Sequence, residues 1–232
     1  RLADHDQVPT AGADAEGVFA TLVGLIDQVR AETDVDLAAC GVGCGGPMAR
    51  GGETVSPLNI APWREFPLRA RLAEHLGVDT FVDNDAKALA LAEGWRGAAA
   101  GTSDFLAMVV STGVGGGVVL DGRLLDGRGG NAGHIGHMIA VPDGRLCVCG
   151  AHGCLEAEAS GTAIAAITGR SAREADHEVR VRTGTLVGRT VASVANLLDL
   201  RLACVAGSVA LGFGDVFFDA AQAELELDSV RP

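Results

Sequence analysis

The spacing of apolar positions changes from helical to strand-like within the first third of the chain. Residues 16–30 place apolar side chains three and four positions apart after Asp14, a residue type that caps helices, and so predict an amphipathic helix. The other elements predicted here are a buried strand at 37–43, a proline-led helix at 67–76, a strand at 80–82 and a helix at 87–93.

The alternation continues after a glycine-rich linker at 97–103. The apolar run at 105–110 and the shorter run at 118–120 predict two strands joined by a glycine-rich turn, which is a hairpin and not a strand-to-helix loop. Further predicted elements are helices at 157–167, 183–198 and 216–225 and a strand at 203–206. Alternating strands and helices indicate an α/β fold. The composition break predicts a small N-terminal lobe (1–103) and a larger C-terminal lobe (104–232).

Composition narrows the classes of function. Of the 232 residues, 48% are hydrophobic, enough for a proper core. No apolar run approaches the roughly 20 residues of a membrane helix, so we expect a cytoplasmic protein without membrane contact. The net charge of -12 disfavours nucleic-acid binding by this segment. Because the chain begins at Arg1, we also expect it to be a fragment.

Three of the six cysteines lie within eight residues, at Cys147, Cys149 and Cys154, and His137 precedes them by ten positions. One imidazole and three thiolates form a closed tetrahedral set for zinc, which predicts a structural metal site. Two alternatives remain open. The segment could be a redox-inert loop with His137 elsewhere, or His152 could supply the nitrogen. The other three cysteines are predicted to be buried small hydrophobes.

Three further segments could carry chemistry. A carboxylate in Asp83-Asn84-Asp85, at the end of a predicted strand, could accept a proton from a substrate hydroxyl, or the segment could only cap a helix. The glycine-rich turn at 112–117 could bind phosphate through its backbone N–H groups or be a tight hairpin. Glu156 could bind a ligand or be a solvated residue at a helix start.

Taken in order, these segments resemble the ROK family of repressors, open reading frames and sugar kinases. The resemblance is carried by Gly136-His137 and by Cys147-Val-Cys-Gly-Ala-His-Gly-Cys-Leu-Glu156, which match the family's metal signature. The other matching segments are Gly43-Cys-Gly-Gly-Pro47, Ser56-Pro-Leu-Asn59, Asp83-Asn-Asp85, Ser111-Thr-Gly-Val-Gly-Gly, Gly161-Thr-Ala-Ile and Val205-Ala-Gly-Ser208.

The resemblance implies a two-lobed, actin-like ATPase (ribonuclease H-like) fold and glucokinase-like phosphorylation of a hexose by ATP and Mg²⁺, commonly in a homodimer or homotetramer. Asp85 would be the general base, with Asn84 and Gly46 holding the sugar. His134, His137 and Glu156 would bind other sugar hydroxyls, and His137 would also bind zinc. ATP phosphates would be bound by Thr112, Gly113, Gly115 and Gly116, and adenosine would lie near Gly207.

The chain departs from the family pattern in two places. His134 stands where the family usually has a glutamate, so a neutral imidazole with one donor and one acceptor replaces an acceptor-only carboxylate. The family's Asp-x-Gly-Gly-Thr phosphate loop, which we expect upstream, is not in the sequence, so the N-terminal part of the first lobe is expected to be missing. The alternatives are a sugar-responsive repressor with an upstream DNA-binding module and a sugar-binding protein without kinase activity.

Overall fold

A computed structural model describes residues 5–10, 12–33 and 36–228. The chain forms two compact units, Arg1–Asp85 with Gly127–Asn131 and Ala86–Asp126 with Ala132–Pro232. The first unit ends earlier than the composition break at residue 103, because the helix that begins at Asp85 packs on the sheet of the second unit. A Cβ atom at Gly115 or Gly117 of that sheet would lie within 3 Å of a helix alanine.

Among its described residues, the first unit contains two α-helices and a two-stranded parallel sheet. Helix α1 (Ala15–Glu32) begins at Asp14, whose side chain accepts the backbone N–H of Gly17 at 2.8 Å, as predicted. The other elements are β1 (Cys40–Cys44), α2 (Leu68–Leu76) and β2 (Thr80–Asn84). Apolar side chains from both helices and both strands form one core. The register pairs Cys44 with Asn84, so both strands end at the same edge.

The second unit is built on a mixed four-stranded sheet. Its strands are β3 (Phe105–Val110), β4 (Val114–Leu120), β5 (Arg123–Leu124) and β6 (Ala203–Ala206), in the order β5-β4-β3-β6. β3 is antiparallel to β4 and parallel to β6. The helices are α3 (Asp85–Arg96), α4 (Leu155–Ala159), α5 (Gly161–Thr168), α6 (His177–Leu198), α7 (Ser208–Phe213) and α8 (Asp215–Asp228).

The predicted hairpin is confirmed, but the structure moves one of its boundaries. β4 begins at Val114 and includes three glycines that the sequence analysis assigned to the turn. Strand pairing with β3 extends over all of them. The turn is therefore only Ser111–Gly113, and the glycines are in the strand because side chains there would clash with neighbouring elements.

Local capping explains two other differences. The helix predicted at 157–167 is two helices, because Ser160 has extended backbone angles and its hydroxyl accepts the N–H of Ala163 at 3.0 Å. α6 starts six residues earlier than predicted, after Asp176, whose side chain accepts the N–H of Val179. In the described part of the chain, no helix has the length and hydropathy to cross a membrane.

Helices α6 and α8 approach each other closely at two glycines. A Cβ atom at Gly184 would lie 2.3 Å from the carbonyl oxygen of Phe217, and one at Gly188 would lie 2.4 Å from that of Ala221. These glycines occupy one face of α6, four residues apart, so they let the two helix backbones pack tightly.

Gly188→Ala should therefore destabilise the protein, although alanine normally favours a helix by about 1 kcal/mol. Overpacking at this contact should lower the free energy of unfolding by about 1–3 kcal/mol, measured by guanidinium denaturation followed by circular dichroism. Gly212→Ala in α7 is the matched control, since a Cβ atom there meets nothing within 4 Å. Equal stability of Gly188→Ala and the wild type would contradict this packing.

Candidate functional site

Four side chains of the second unit converge on one point. One ring nitrogen of His137 and the Sγ atoms of Cys147, Cys149 and Cys154 all lie within 4.8 Å of one another. Cys147 Sγ is 3.6 Å from His137 Nδ1, and Cys149 Sγ is 3.6 Å from Cys154 Sγ. Tetrahedral zinc, with bonds of about 2.0 Å to nitrogen and 2.3 Å to sulfur, separates its ligand atoms by about 3.5–3.8 Å. The donor set fits this ion.

The backbone of the loop explains the convergence. The N–H of Cys147 bonds to the carbonyl of Ala151 at 2.8 Å, and the N–H of Gly150 bonds back to the carbonyl of Cys147 at 2.9 Å. Gly153 has a positive φ, and a Cβ atom there would lie 1.7 Å from the carbonyl oxygen of Val141, so this position requires glycine. His152 lies outside the cluster, with its Nδ1 atom 3.0 Å from the carbonyl oxygen of Gly144.

The three thiols differ in their electrostatic environment. Burial raises the pKa of Cys147, and it raises the pKa of Cys154 to about 12 in the metal-free protein. The backbone N–H of Ala151 stabilises the thiolate of exposed Cys149 and lowers its pKa. Cys147 and Cys154 therefore stay protonated in the metal-free protein at neutral pH, whereas a bound metal would hold all three sulfurs as thiolates.

His134 lies beside the cluster. Its ring stacks on that of His137, with centroids 5.9 Å apart. Burial lowers the pKa of His134, His137 and Lys87 lower it further, and the Glu156 carboxylate opposes them. The imidazole is therefore neutral at pH 7, with one donor and one acceptor nitrogen. Nδ1 of His137 is the ring nitrogen that contacts Cys147 Sγ, and a metal bound through Nδ1 would leave Nε2 for another partner.

Lys87 is a neighbour of His134 to which the sequence analysis assigned no function. It is the one lysine in the sequence, its side chain is almost fully buried, and its Nζ atom is 2.5 Å from Asp126 Oδ1. That it is the one lysine of the chain, within an apolar helical segment, is the signal in the sequence that points to it. Its partner is 39 positions away, so the sequence alone does not reveal the pair.

Glu156 connects the cysteine loop to the hairpin turn. Its Oε2 atom accepts the backbone N–H of Val114 at 3.1 Å, and a Cβ atom at Gly113 would lie 3.2 Å from the same oxygen. The start of α5 holds the turn as well, because Gly161 donates its N–H to the carbonyl of Ser111 at 2.7 Å. Thr162 donates both its N–H and its hydroxyl to the carbonyl of Thr112.

The predicted phosphate-binding residues fall into two groups. Gly115 and Gly116 lie within β4, where their missing side chains make room for Ala86 and Ile135. Thr112 and Gly113 form the turn itself, and their N–H groups make no hydrogen bond within the described residues. The turn is thus the part of this segment best suited to an anion.

Gly207 lies at the end of β6, immediately before α7. Its φ is +105°, and a Cβ atom would lie 2.3 Å from the carbonyl oxygen of Val110, so no other residue fits here. The next residue, Ser208, brings its hydroxyl 2.9 Å from that of Ser111. The chain reversal after β6 is therefore adjacent to the hairpin turn.

The first unit holds the remaining predicted site residues. Asp83 accepts the N–H of Asn84 at 2.7 Å, and exposed Asp85 starts α3 directly after β2. Burial and the Asp85 charge raise the pKa of Cys44 to about 11, so this cysteine stays a neutral thiol, as expected of a small core residue. Gly46 precedes Pro47 through a cis peptide bond, and its carbonyl accepts the N–H of Leu58 at 3.2 Å.

The chain belongs to the ROK family, whose sequence pattern matches residues 2–214. It is 35% identical to an N-acetylmannosamine kinase of Salmonella arizonae in an alignment 232 positions long, which covers 92% of this chain and 78% of that protein.

Solved structures agree with the family. The fold matches a ROK hexokinase from Thermus thermophilus with a TM-score of 0.79 and 34% identity, covering 97% of this chain and 82% of that one. It also matches a ROK family glucokinase from Streptomyces griseus, solved with glucose and AMPPNP, with a TM-score of 0.82 and 28% identity, covering 95% and 82%. The expected fold class, the α/β fold of the actin-like ATPases, is confirmed.

Proposed function

We propose that the protein phosphorylates a hexose hydroxyl with ATP, and that Asp85 is the general base. The observation that carries this proposal is the exposed carboxylate of Asp85 directly after the carboxyl end of β2, where ligands of α/β sheets gather. Similarity to an N-acetylmannosamine kinase and to a glucokinase supports the reaction class. The substrates to test first are therefore N-acetylmannosamine and glucose.

Each unit contributes residues with separate tasks. In the first unit, Asp85 accepts the proton of the attacking hydroxyl, and Asn84 and Gly46 orient the sugar. In the second unit, His134, Nε2 of His137 and Glu156 bind ring hydroxyls. Neutral His134 offers a donor as well as an acceptor, which favours a different pattern of sugar substituents from the one a carboxylate would select.

The nucleotide side is assigned to the hairpin turn. The N–H groups of Thr112 and Gly113 bind phosphate oxygens, and Gly115 and Gly116 hold the strand that supports them. Gly207 keeps the chain close to the turn, next to the adenosine. Mg²⁺ bound with ATP would supply positive charge to offset that of the phosphoryl group. The expected homodimer or homotetramer stays a prediction.

Asp85→Asn should lower kcat by roughly 100- to 10,000-fold and change the sugar KM little, because the amide keeps its shape but accepts no proton. The measurement is coupled ADP release over glucose, mannose, fructose, N-acetylmannosamine and N-acetylglucosamine. Asp79→Asn, at an exposed residue immediately before the same strand, is the matched control. Turnover that survives Asp85→Asn would contradict the base. Sugar binding without ATP consumption would favour a sensor over a kinase.

We also propose that His137, Cys147, Cys149 and Cys154 hold one structural zinc ion. Four protein ligands leave no open position for a water molecule, so the metal would hold the loop and take no part in proton transfer. With the loop fixed, His137 and Glu156 keep their positions for the sugar.

Replacing the metal with Co²⁺ should give the intense visible absorption of a tetrahedral thiolate site, saturating at one ion per chain. Cys149→Ser should weaken binding, because an alcohol is a poor substitute for a thiolate ligand. Cys204→Ser, in β6 and outside the cluster, should bind like the wild type. A weak octahedral spectrum would refute the assignment, and so would an equal loss of Co²⁺ binding in Cys149→Ser and Cys204→Ser.

A further inference from the structure

A buried carboxylate next to the cysteine loop has no part in the proposed reaction. The side chain of Glu158 is only 3% exposed, although glutamate is almost never fully buried unless it is paired. It lies in α4, four residues after Cys154, and so one helical turn beyond the last sulfur ligand.

Both carboxylate oxygens of Glu158 are engaged. Oε1 accepts the backbone N–H of Arg145 at 2.7 Å, and Oε2 is 2.5 Å from Nη2 of Arg182 on α6. Nη1 of Arg182 also donates to the backbone carbonyl of Glu158 at 2.9 Å. A Cβ atom at Gly144 would lie 2.5 Å from Oε1, so a glycine is required beside this bond.

These bonds close the cysteine loop at its base. Arg145 stands two residues before Cys147, and Glu158 follows the last cysteine, so the bond between them joins the two ends of the segment that carries all three sulfurs. A second bond, from the N–H of Gly153 to the carbonyl of Arg145 at 2.8 Å, runs alongside it. Arg182 then fastens the closed loop to the longest helix of the unit.

We propose that Glu158, held by Arg182, is a positioning residue that closes the base of the cysteine loop before the metal binds and slows the metal's release. A loop closed in advance loses less chain entropy when its sulfurs are fixed, so the metal is held more tightly. The inference rests on the proposed zinc site. It is independent of kinase activity, because it concerns metal retention without sugar or nucleotide.

The test is the rate at which zinc-loaded protein releases its metal to an excess of a colorimetric chelator. Glu158→Gln removes the charge that pairs with Arg182, and Arg182→Gln removes the other half of the pair. Each should speed release by roughly 10- to 100-fold, the range seen for groups that orient metal ligands. The double variant should release no faster than the single ones, because the two side chains act as a unit.

Glu224→Gln is the matched control. Glu224 pairs with Arg189 on the same helix α6, at 2.8 Å, but bonds to no part of the cysteine loop in the described structure. Glu224→Gln should lower the melting temperature by removing an ion pair of α6, and it should leave the rate of zinc release unchanged.

Three results would overturn the inference, and they are distinguishable. If Glu158→Gln behaves like Glu224→Gln, with a lower melting temperature and release within twofold of wild type, the pair is only structural. If wild-type protein holds no zinc, the metal assignment itself fails. If the Arg145 amide of metal-free wild type exchanges hydrogen at the rate of an unfolded peptide, the loop is not formed in advance. The last measurement needs no variant.

Discussion

The convergence of one imidazole nitrogen and three sulfur atoms constrains the whole cysteine loop. These atoms lie within 4.8 Å of one another, although His137 precedes Cys147 by ten positions and Cys154 by seventeen. The backbone must therefore turn tightly, and it does so at Gly150 and Gly153, which have positive φ. The convergence also places Nδ1 of His137 3.6 Å from Cys147 Sγ. The ring of His134 stacks on that of His137, and α4 starts directly after Cys154, so both lie next to this arrangement.

The influence of the loop extends to the hairpin turn through one side chain. Glu156 lies in α4, directly after the predicted metal ligands, and accepts the N–H of Val114. This short helix therefore connects the cysteine loop to the predicted phosphate turn. That turn has a second support, since Gly161 and Thr162 bond to its carbonyls from α5. Because α5 also holds the turn, we expect loss of a bound metal to affect the predicted sugar residues of this unit more than the predicted phosphate turn.

Local patterns were sufficient to predict many features of the chain. The cysteine spacing, the hairpin and the cap at Asp14 each depend on residues close together in sequence, and the structure has all three. Glycine is rare in strands, and the packing of α3 on Gly115 and Gly117 and of Ile135 on Gly116 explains why these glycines lie in β4 and not in the predicted turn. The predicted helix at 157–167 includes Ser160, whereas the hydroxyl of this residue caps a new helix.

Long-range pairs could not be predicted. Lys87 pairs with Asp126, 39 positions away in the sequence, and Glu158 pairs with Arg182, 24 positions away. The local sequence pattern around these residues does not indicate the partner of either. Burial of both side chains is decided by the packing of elements that are distant in sequence. The positioning role inferred for Glu158 is therefore visible only in three dimensions.

The central claim is that a bound metal organises the sugar-binding residues of the second unit. Calorimetric titration of zinc-loaded and zinc-depleted protein, with the best hexose substrate and separately with a non-hydrolysable ATP analogue, tests it most directly. We expect zinc removal to weaken sugar binding by about tenfold or more and nucleotide binding by a clearly smaller factor. Equal sugar affinity in the two forms would contradict the claim.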